Sequence, residues 1–227
     1  MNSGRIFSAL LLGASTISVA GWHGEARADA TPGCNASEGP DATLDTNDDG
    51  LECGVASEAT GDRAVAIGTT ASATGDGSVA LGERARAFGS TTIAIGFQST
   101  AGLSGAVAIG AISRAGLDAV ALGYGANADF PRGVAVGRTA FATIDAVALG
   151  ANTVANYEGS VALGNNSWAQ AENTVSVGNE DLQRRITNVA SGIDNSDVAT
   201  IGQLNSAIAG LAGGGSQYLI VNSTGGG

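Results

Sequence analysis

The sequence predicts a mainly β fold built as a narrow solenoid, and three observations carry the prediction. A five-residue phrase of the form Ala-Val-Ala-Ile-Gly returns nine times between Ala64 and Gly178. Its closing glycines, at 68, 82, 96, 110, 123, 137, 150, 164 and 178, are spaced by 14 or 13 residues. A repeat of 14 residues holds two short strands and two turns but no helix. Successive repeats must therefore coil, with equivalent strands stacked in parallel.

Each phrase reads as a strand. Val65 and Ile67, Val79 and Leu81, and Ile93 and Ile95 lie two positions apart, which puts both members of each pair on one face. The return segments carry a weaker strand signal, as in Ala71-Ser72-Ala73-Thr74, Ala85-Arg86-Ala87-Phe88, Ala140-Phe141-Ala142-Thr143 and Ala169-Gln170-Ala171-Glu172. The glycine ending each phrase supplies a corner that a Cβ would obstruct. The other face of the main strand presents Ala66, Ala80, Ala94, Ala108, Ala121, Ala135, Ala148, Ala162 and Ser176, where a solvated face would carry long polar side chains. Two readings of this small face stand, a thin well-packed monomer or a tight subunit interface, and the interface is the expectation carried forward. With the eighteen aliphatic side chains assigned to the core, burial at roughly 1.5–3 kcal/mol each amounts to tens of kcal/mol.

The ends of the chain differ in composition. Residues 1–28 carry Arg5, an apolar run from Ile6 to Ala20 and a small-residue site at Ala26-Arg27-Ala28, the pattern of a signal peptide cut after Ala28 or Ala30. Export is the expectation. The formal net charge is −11, with no lysine anywhere, which argues against nucleic acid and anionic membranes as partners. The one histidine, His23, lies in the leader. Residues 29–60 form an acidic, turn-rich segment bounded by Cys34 and Cys53, two cysteines that suggest a disulfide in an exported chain. Within it, Asp45, Asn47 and Asp49 alternate ahead of Gly50, and the Leu51 carbonyl follows, an oxygen set suited to a weak Ca²⁺ site. The alternative is an acidic linker that binds nothing. The twelfth loop position is Ala56 where an EF-hand needs a bidentate Glu, so strong EF-hand binding is not expected.

After residue 178 the period changes. Leu182, Ile186, Val189 and Ile193 fall at helical seam spacing, as do Ile201, Leu204, Ile208 and Leu211, and Asp194-Asn195-Ser196-Asp197 between them offers N-cap side chains for a helix beginning near Val198. A helix, a polar turn and a second helix are predicted. The chain thus divides into a signal peptide (1–28), the Cys-bounded loop (29–60), the repeats (61–178), a junction with the start of a coiled coil (179–212) and a Gly-rich tail (213–227).

The Val-Ala-[Ile/Leu]-Gly array, followed by Ser176-Val177-Gly178-Asn179-Glu180 and Ser196-Asp197-Val198-Ala199-Thr200-Ile201-Gly202-Gln203-Leu204, resembles the head and neck of the trimeric autotransporter adhesins. That resemblance implies a left-handed parallel β-roll of about nine 14-residue repeats, a neck leading to a short α-helical coiled coil, and a homotrimer. The segment around Asp45 to Cys53 resembles excalibur-type extracellular calcium-binding modules, with Asn47 in place of an aspartate. The family anchors and exports itself through an outer-membrane barrel, whose strands need about 9–11 residues. Only Tyr218 to Val221 is apolar in the tail, so the anchor is expected to lie outside this chain.

The function implied is a bacterial surface adhesin head, at the cell surface or secreted, that attaches cells to extracellular matrix protein, other surfaces or one another. The alternative is a passive spacer. An enzyme is not expected, because the chain after the leader has no histidine or lysine, no Gly-x-Ser-x-Gly elbow and no regularly paired carboxylates. An ice-binding ladder is not expected either, since Thr92, Thr139 and Thr174 are scattered. Candidate contact residues on the returns and corners are Arg84, Arg86, Phe97, Arg114, Tyr124, Phe130, Arg132, Arg138 and Tyr157.

Overall fold

A computed structural model describes residues 34–37 and 50–220. Residues 34–183 belong to one unit and residues 184–220 to another. The first unit is a parallel β-solenoid. Its long strands, Val65–Ile67, Val79–Leu81, Ile93–Ile95, Val107–Ile109, Val120–Leu122, Val134–Val136, Val147–Leu149, Val161–Leu163 and Val175–Ser176, stack in sequence order in one sheet. The short strands, Ser72–Ala73, Arg86–Ala87, Thr100–Ala101, Arg114–Ala115, Asn127–Ala128, Phe141–Ala142, Val154–Ala155 and Trp168–Ala169, stack in a second. Alanine pairs with alanine from coil to coil, as Ala66 with Ala80 and Ala73 with Ala87.

The array begins one coil before the first aliphatic phrase. Strand β1 (Cys34–Ser37) runs antiparallel to β2 (Gly50–Cys53), and β2 stacks in parallel on Val65–Ile67. Short strand β3 (Glu58–Ala59) completes that coil. Residues 50–60, assigned from sequence to the Cys-bounded loop, therefore belong to the solenoid. The signal lay in Gly50-Leu51-Glu52-Cys53-Gly54, whose closing glycine precedes Gly68 by one repeat but whose central residue is Glu52 where later coils have alanine. Glu52 answers an end effect. Among the described residues no earlier coil faces the Ala59 N–H, and it donates to Glu52 Oε1 at 2.7 Å. Cys34 and Cys53 face each other across β1 and β2 and form the expected disulfide.

The interior holds only small side chains. Ala66, Ala80, Ala94, Ala108, Ala121, Ala135, Ala148 and Ala162 are fully buried, as are Ala73, Ala87, Ala101 and their equivalents on the short strands. Between the two columns lie residues such as Ala64, Ala71, Thr92, Ser99, Ser113 and Thr153. This corrects the expected assignment of faces. The alanine face is the inside of each roll rather than a subunit interface, and the aliphatic pairs point outward. The physical reason is that two sheets closed by tight corners approach so closely that one methyl from each fills the gap. Hydroxyls fit the same space, most of them bonded backward to a carbonyl, while Ser78 Oγ is buried without a partner among the described residues. Thr92 Oγ1 donates to Gly89 O at 2.7 Å, Ser113 Oγ to Gly110 O at 2.8 Å and Thr153 Oγ1 to Gly150 O at 2.6 Å.

Every corner carries a residue in the left-handed region, in many cases a non-glycine one. Arg63, Thr70, Arg84, Thr91, Gln98, Ile112, Thr139 and Asn152 all have φ between 52° and 56° within a set that continues around the roll. β-branched residues there are costly. The conformation turns each N–H toward the neighbouring coil, so that Ile112 N–H donates to Phe97 O and Thr139 N–H to Tyr124 O, both at 2.8 Å. The inter-coil ladder thus continues around the bends at these positions. At the other bend position, glycine is needed outright. Gly123 has φ +133°, and a Cβ there would sit 2.6 Å from Gly137 O in the next coil.

Residues 184–220 contain one helix, α1 (Ile201–Ile220). The first of the two predicted helices is absent: Leu182, Ile186, Val189 and Ile193 lie in irregular backbone, although their spacing is helical. Asn188, at φ +62°, interrupts that stretch. The second helix starts at Ile201 rather than near Val198, and its cap is Thr200 rather than the Asp-rich turn. Thr200 Oγ1 accepts from Gln203 N–H at 3.3 Å while Gln203 Oε1 accepts from Thr200 N–H at 3.0 Å, a reciprocal capping box. Gln203 also bonds both backbone groups of Gly192, at 2.9 and 2.8 Å. Asp197 closes the loop instead, accepting from the N–H groups of Ile193 and Asp194 at 2.9 and 3.0 Å.

Two outcomes follow from this geometry. At equal protomer concentration, Gly123→Ala should lower unfolding stability by at least about 2–3 kcal/mol in urea titrations followed by circular dichroism, because backbone rather than a pliant side chain blocks the new Cβ. Thr139→Gly, at a left-handed position, should change stability by no more than about 1 kcal/mol. The two N–H donors hold the Asp197 carboxyl below its ordinary 3.8. A depressed folded value means that the loop closure is present above that ordinary value and is lost as pH falls through the folded one. Protection factors for amide exchange at Ile193 and Asp194, taken relative to the intrinsic rate at each pH, should therefore fall in acid, and Asp197→Ala should produce the same loss of protection at neutral pH.

Candidate functional site

Three surfaces of the roll could act on something outside the chain. The first is the outer face of the long-strand sheet. Val65, Val79, Ile93, Val107, Val120, Val134, Val147 and Val161 form one column along it, and Ile67, Leu81, Ile95, Ile109, Leu122, Val136, Leu149 and Leu163 form a second. All are at least partly exposed, Leu122 by 42%. A contiguous apolar strip of this length on a lone chain marks an interface.

The second surface is made by the short strands and the corners, where the residues expected to make contacts are spread. Arg84 pairs with Glu83 at 2.9 Å. Arg132 grips Asp145 one coil on through two bonds of 2.5 and 2.7 Å, which hold the Asp145 carboxyl below its ordinary range and raise the guanidinium. Arg138 reaches Asn152 at 3.5 Å. Arg86 and Arg114 project from the short-strand sheet on either side of Thr100 and make no ion pair among the described residues. Phe97, Tyr124, Phe130 and Tyr157 are exposed, and Phe130 stands edge-on to Phe141 with ring centres 6.2 Å apart. The structure does not bring these nine residues to one place. They lie along different coils and both bends.

The third is a pocket of about 410 Å³ at the C-terminal end of the roll. Asn152, Val154, Asn166, Ser167, Trp168, Asn179, Asp181 and Leu182 line it. Trp168 opens its short strand at the outward position, and the following chain bonds it in place through Trp168 N–H to Gly178 O at 2.8 Å. The two asparagines are stacked a coil apart and their amides are locked. Asn152 Nδ2 donates to Asn166 Oδ1 at 3.1 Å, Thr139 Oγ1 donates to Asn152 Oδ1 at 2.7 Å, and Asn166 Nδ2 donates to Asn165 Oδ1 at 2.9 Å. Sequence reasoning missed Trp168. Its signal was available, as the one tryptophan beyond Trp22, at the short-strand position where other coils carry Ser72, Arg86, Thr100, Arg114, Asn127, Phe141 and Val154.

Of the candidate calcium ligands, Leu51 lies in β2, while Asp45, Asn47 and Asp49 are outside the described residues, as is the signal peptide. Among the described residues no group of three or more His, Cys, Asp or Glu side chains could hold a metal ion, and no helix is long and apolar enough to cross a membrane.

The model of the YadA head domain repeat matches residues 59–85, 87–111, 115–140, 144–167 and 158–180, half of the chain. Among solved structures, the collagen-binding domain of the Yersinia adhesin YadA has 31% sequence identity with this chain, over 66% of this chain and 85% of that one, with a TM-score of 0.45. No curated protein matches. The repeats are matched from residue 59 to residue 180, the same span that coils here as a parallel β-solenoid, and the chain belongs to the YadA head domain family, the repeat head of an adhesin-type surface protein.

Proposed function

We propose that this chain forms the head of a homotrimeric bacterial adhesin, exported to the cell surface, which attaches the cell to matrix proteins, other surfaces or other cells. The observation that carries the proposal is the pair of aliphatic columns left open on the long-strand sheet. Placing that face around a threefold axis covers sixteen Val, Ile and Leu side chains per chain, each worth roughly 1.5–3 kcal/mol on full burial. The corners and the short-strand sheet then face solvent, and each contact residue is displayed three times, so that weak contacts add through multivalency. The head of the Yersinia relative is described as collagen-binding, which makes collagens the first ligands to test.

The acidic loop enters the same reading as a weak calcium site. Ser37 pairs with Gly50, and the disulfide ties Cys34 to Cys53, so the ends of the segment carrying Asp45, Asn47 and Asp49 are held together. Calcium there would order the loop and leave the roll, whose interior is alanine, unchanged.

Sedimentation at micromolar concentration should give three subunits. Leu122→Arg combined with Leu149→Arg should destroy the trimer, whereas Tyr124→Arg, on a corner of the same array, should leave it intact; a stable folded monomer of the parent chain overturns the assembly. Trimer displayed on cells should bind at least one of collagen, fibronectin, laminin or an abiotic surface, and deletion of residues 111–137, two whole coils, should weaken that binding while preserving the fold. If the intact trimer binds none and does not aggregate the cells, the head is a spacer. Calorimetric titration of the oxidised protein should show calcium binding at about millimolar concentration that Asp49→Ala removes.

A further inference from the structure

We infer that the pocket beside Trp168 binds a neutral saccharide, a hexose or N-acetylhexosamine, so that the head carries a lectin-like site in addition to any matrix-protein contact. The inference rests on the adhesin reading for its biological use but not for its chemistry. The volume, about 410 Å³, falls within the range of about 300–1,000 Å³ typical of small-ligand sites. Its lining combines what a sugar ring requires. Trp168, 46% exposed, supplies a flat apolar platform for the C–H face of a pyranose, with an indole N–H at its edge. Asp181 supplies a carboxylate, an acceptor-only group able to take two neighbouring hydroxyls. Neither the indole N–H nor that carboxylate makes a hydrogen bond within the described residues.

Asn152 and Asn166 add directed donors. Each amide spends one N–H on its neighbour in the ladder and keeps a second. Because the ladder fixes both amides, no rotamer search precedes binding. Val154 and Leu182 form the apolar margin, where the methyl of an acetamido group can pack. The charge selects among sugars. No arginine lines the pocket, Asp181 does, and the whole chain is at −11, so sialic acids, uronic acids and sulfated glycans are disfavoured. The site stands at the C-terminal end of the roll, on the short strands and the bend that leads into them, and none of the sixteen residues of the aliphatic columns lines it.

Trp168 is the sole tryptophan of a chain carrying Trp22→Phe, so its fluorescence reports directly on the pocket. Titration of that full-length trimer with galactose, N-acetylglucosamine and N-acetylgalactosamine should give a saturable change for at least one, at about millimolar concentrations, the weak range of single-site binding, and N-acetylneuraminic acid should give none. Asp181→Asn should weaken the response about tenfold, and Arg86→Ala should leave it unchanged. For Trp168→Ala and Trp168→Phe, calorimetry replaces fluorescence: binding should be lost in the first and partly kept in the second. The absence of a saturable response to all three neutral sugars overturns the assignment, as does a preference for the acidic one or an indole shielded from acrylamide in the trimer. Failure here leaves binding to collagen and laminin untouched, so the two readings fall separately.

Discussion

One constraint governs this molecule, the distance between two sheets that are separated by a single methyl from each side. Only alanine, serine and threonine fit between the long and the short strands, and at twenty-five alanines the interior excludes every large aliphatic side chain the repeats possess. Valine, isoleucine and leucine are displaced to the outside by this geometry rather than by any preference for water. A fold that cannot bury its own large aliphatic residues leaves them on an open face, and the proposed assembly rests on that face. Thinness of the roll and the openness of its aliphatic face are thus the same fact. The close approach is possible in turn only because the bends are short, and the bends are short only because their residues accept left-handed backbone in exchange for a continued hydrogen-bond ladder.

The period, the two strands per repeat, the parallel stacking and the disulfide were all legible in the sequence, since each leaves a local mark: a recurring Gly, an alternating Val-Ala-Ile, a pair of cysteines. The assignment of faces was not. Alternation says that Ala66 and Val65 point in opposite directions, but it does not say which direction is inward, and the ordinary rule that the larger apolar residue goes inside fails where the inside has no volume. The helix expected over Leu182 to Ile193 failed for a related reason. Three-four spacing is necessary for a seam but not sufficient, and this stretch carries Asn188, Gly192 and Asp194, residues that favour local turns. At Ile201 the same spacing is backed by a reciprocal Thr200 and Gln203 cap, and there the helix forms. The pocket leaves no local mark, because its parts, Asn152, Asn166, Trp168 and Asp181, are gathered by stacking of coils and not by nearness in sequence.

A solenoid has two ends at which its ladder stops, and both are treated individually here. At the start, Glu52 replaces an alanine and its carboxylate takes the N–H of Ala59 that a preceding coil would have taken. An added antiparallel strand covers the edge of β2 and is held by the disulfide. At the finish, Ser176 replaces the alanine, and its hydroxyl donates to Gly178 O at 2.9 Å as the chain leaves the sheet. Polar substitution in the alanine column is therefore a marker of an end. Such closure also blunts the exposed strand edges that would otherwise recruit other β-structure.

The two coils of 13 residues lose their missing residue at the same bend, the one leading from a short strand into the next long strand, at Gly116-Leu117-Asp118 and at Thr143-Ile144-Asp145. Their long strands nevertheless keep full register with the neighbours above and below. That bend thus tolerates changes of length, and the opposite one has kept its spacing throughout. A head of this kind behaves as a graduated ruler: each coil adds about 4.8 Å of reach, and graduations can be gained or lost without disturbing the rest. The length of the head is then set by counting coils, a quantity that simple duplication of fourteen codons can change.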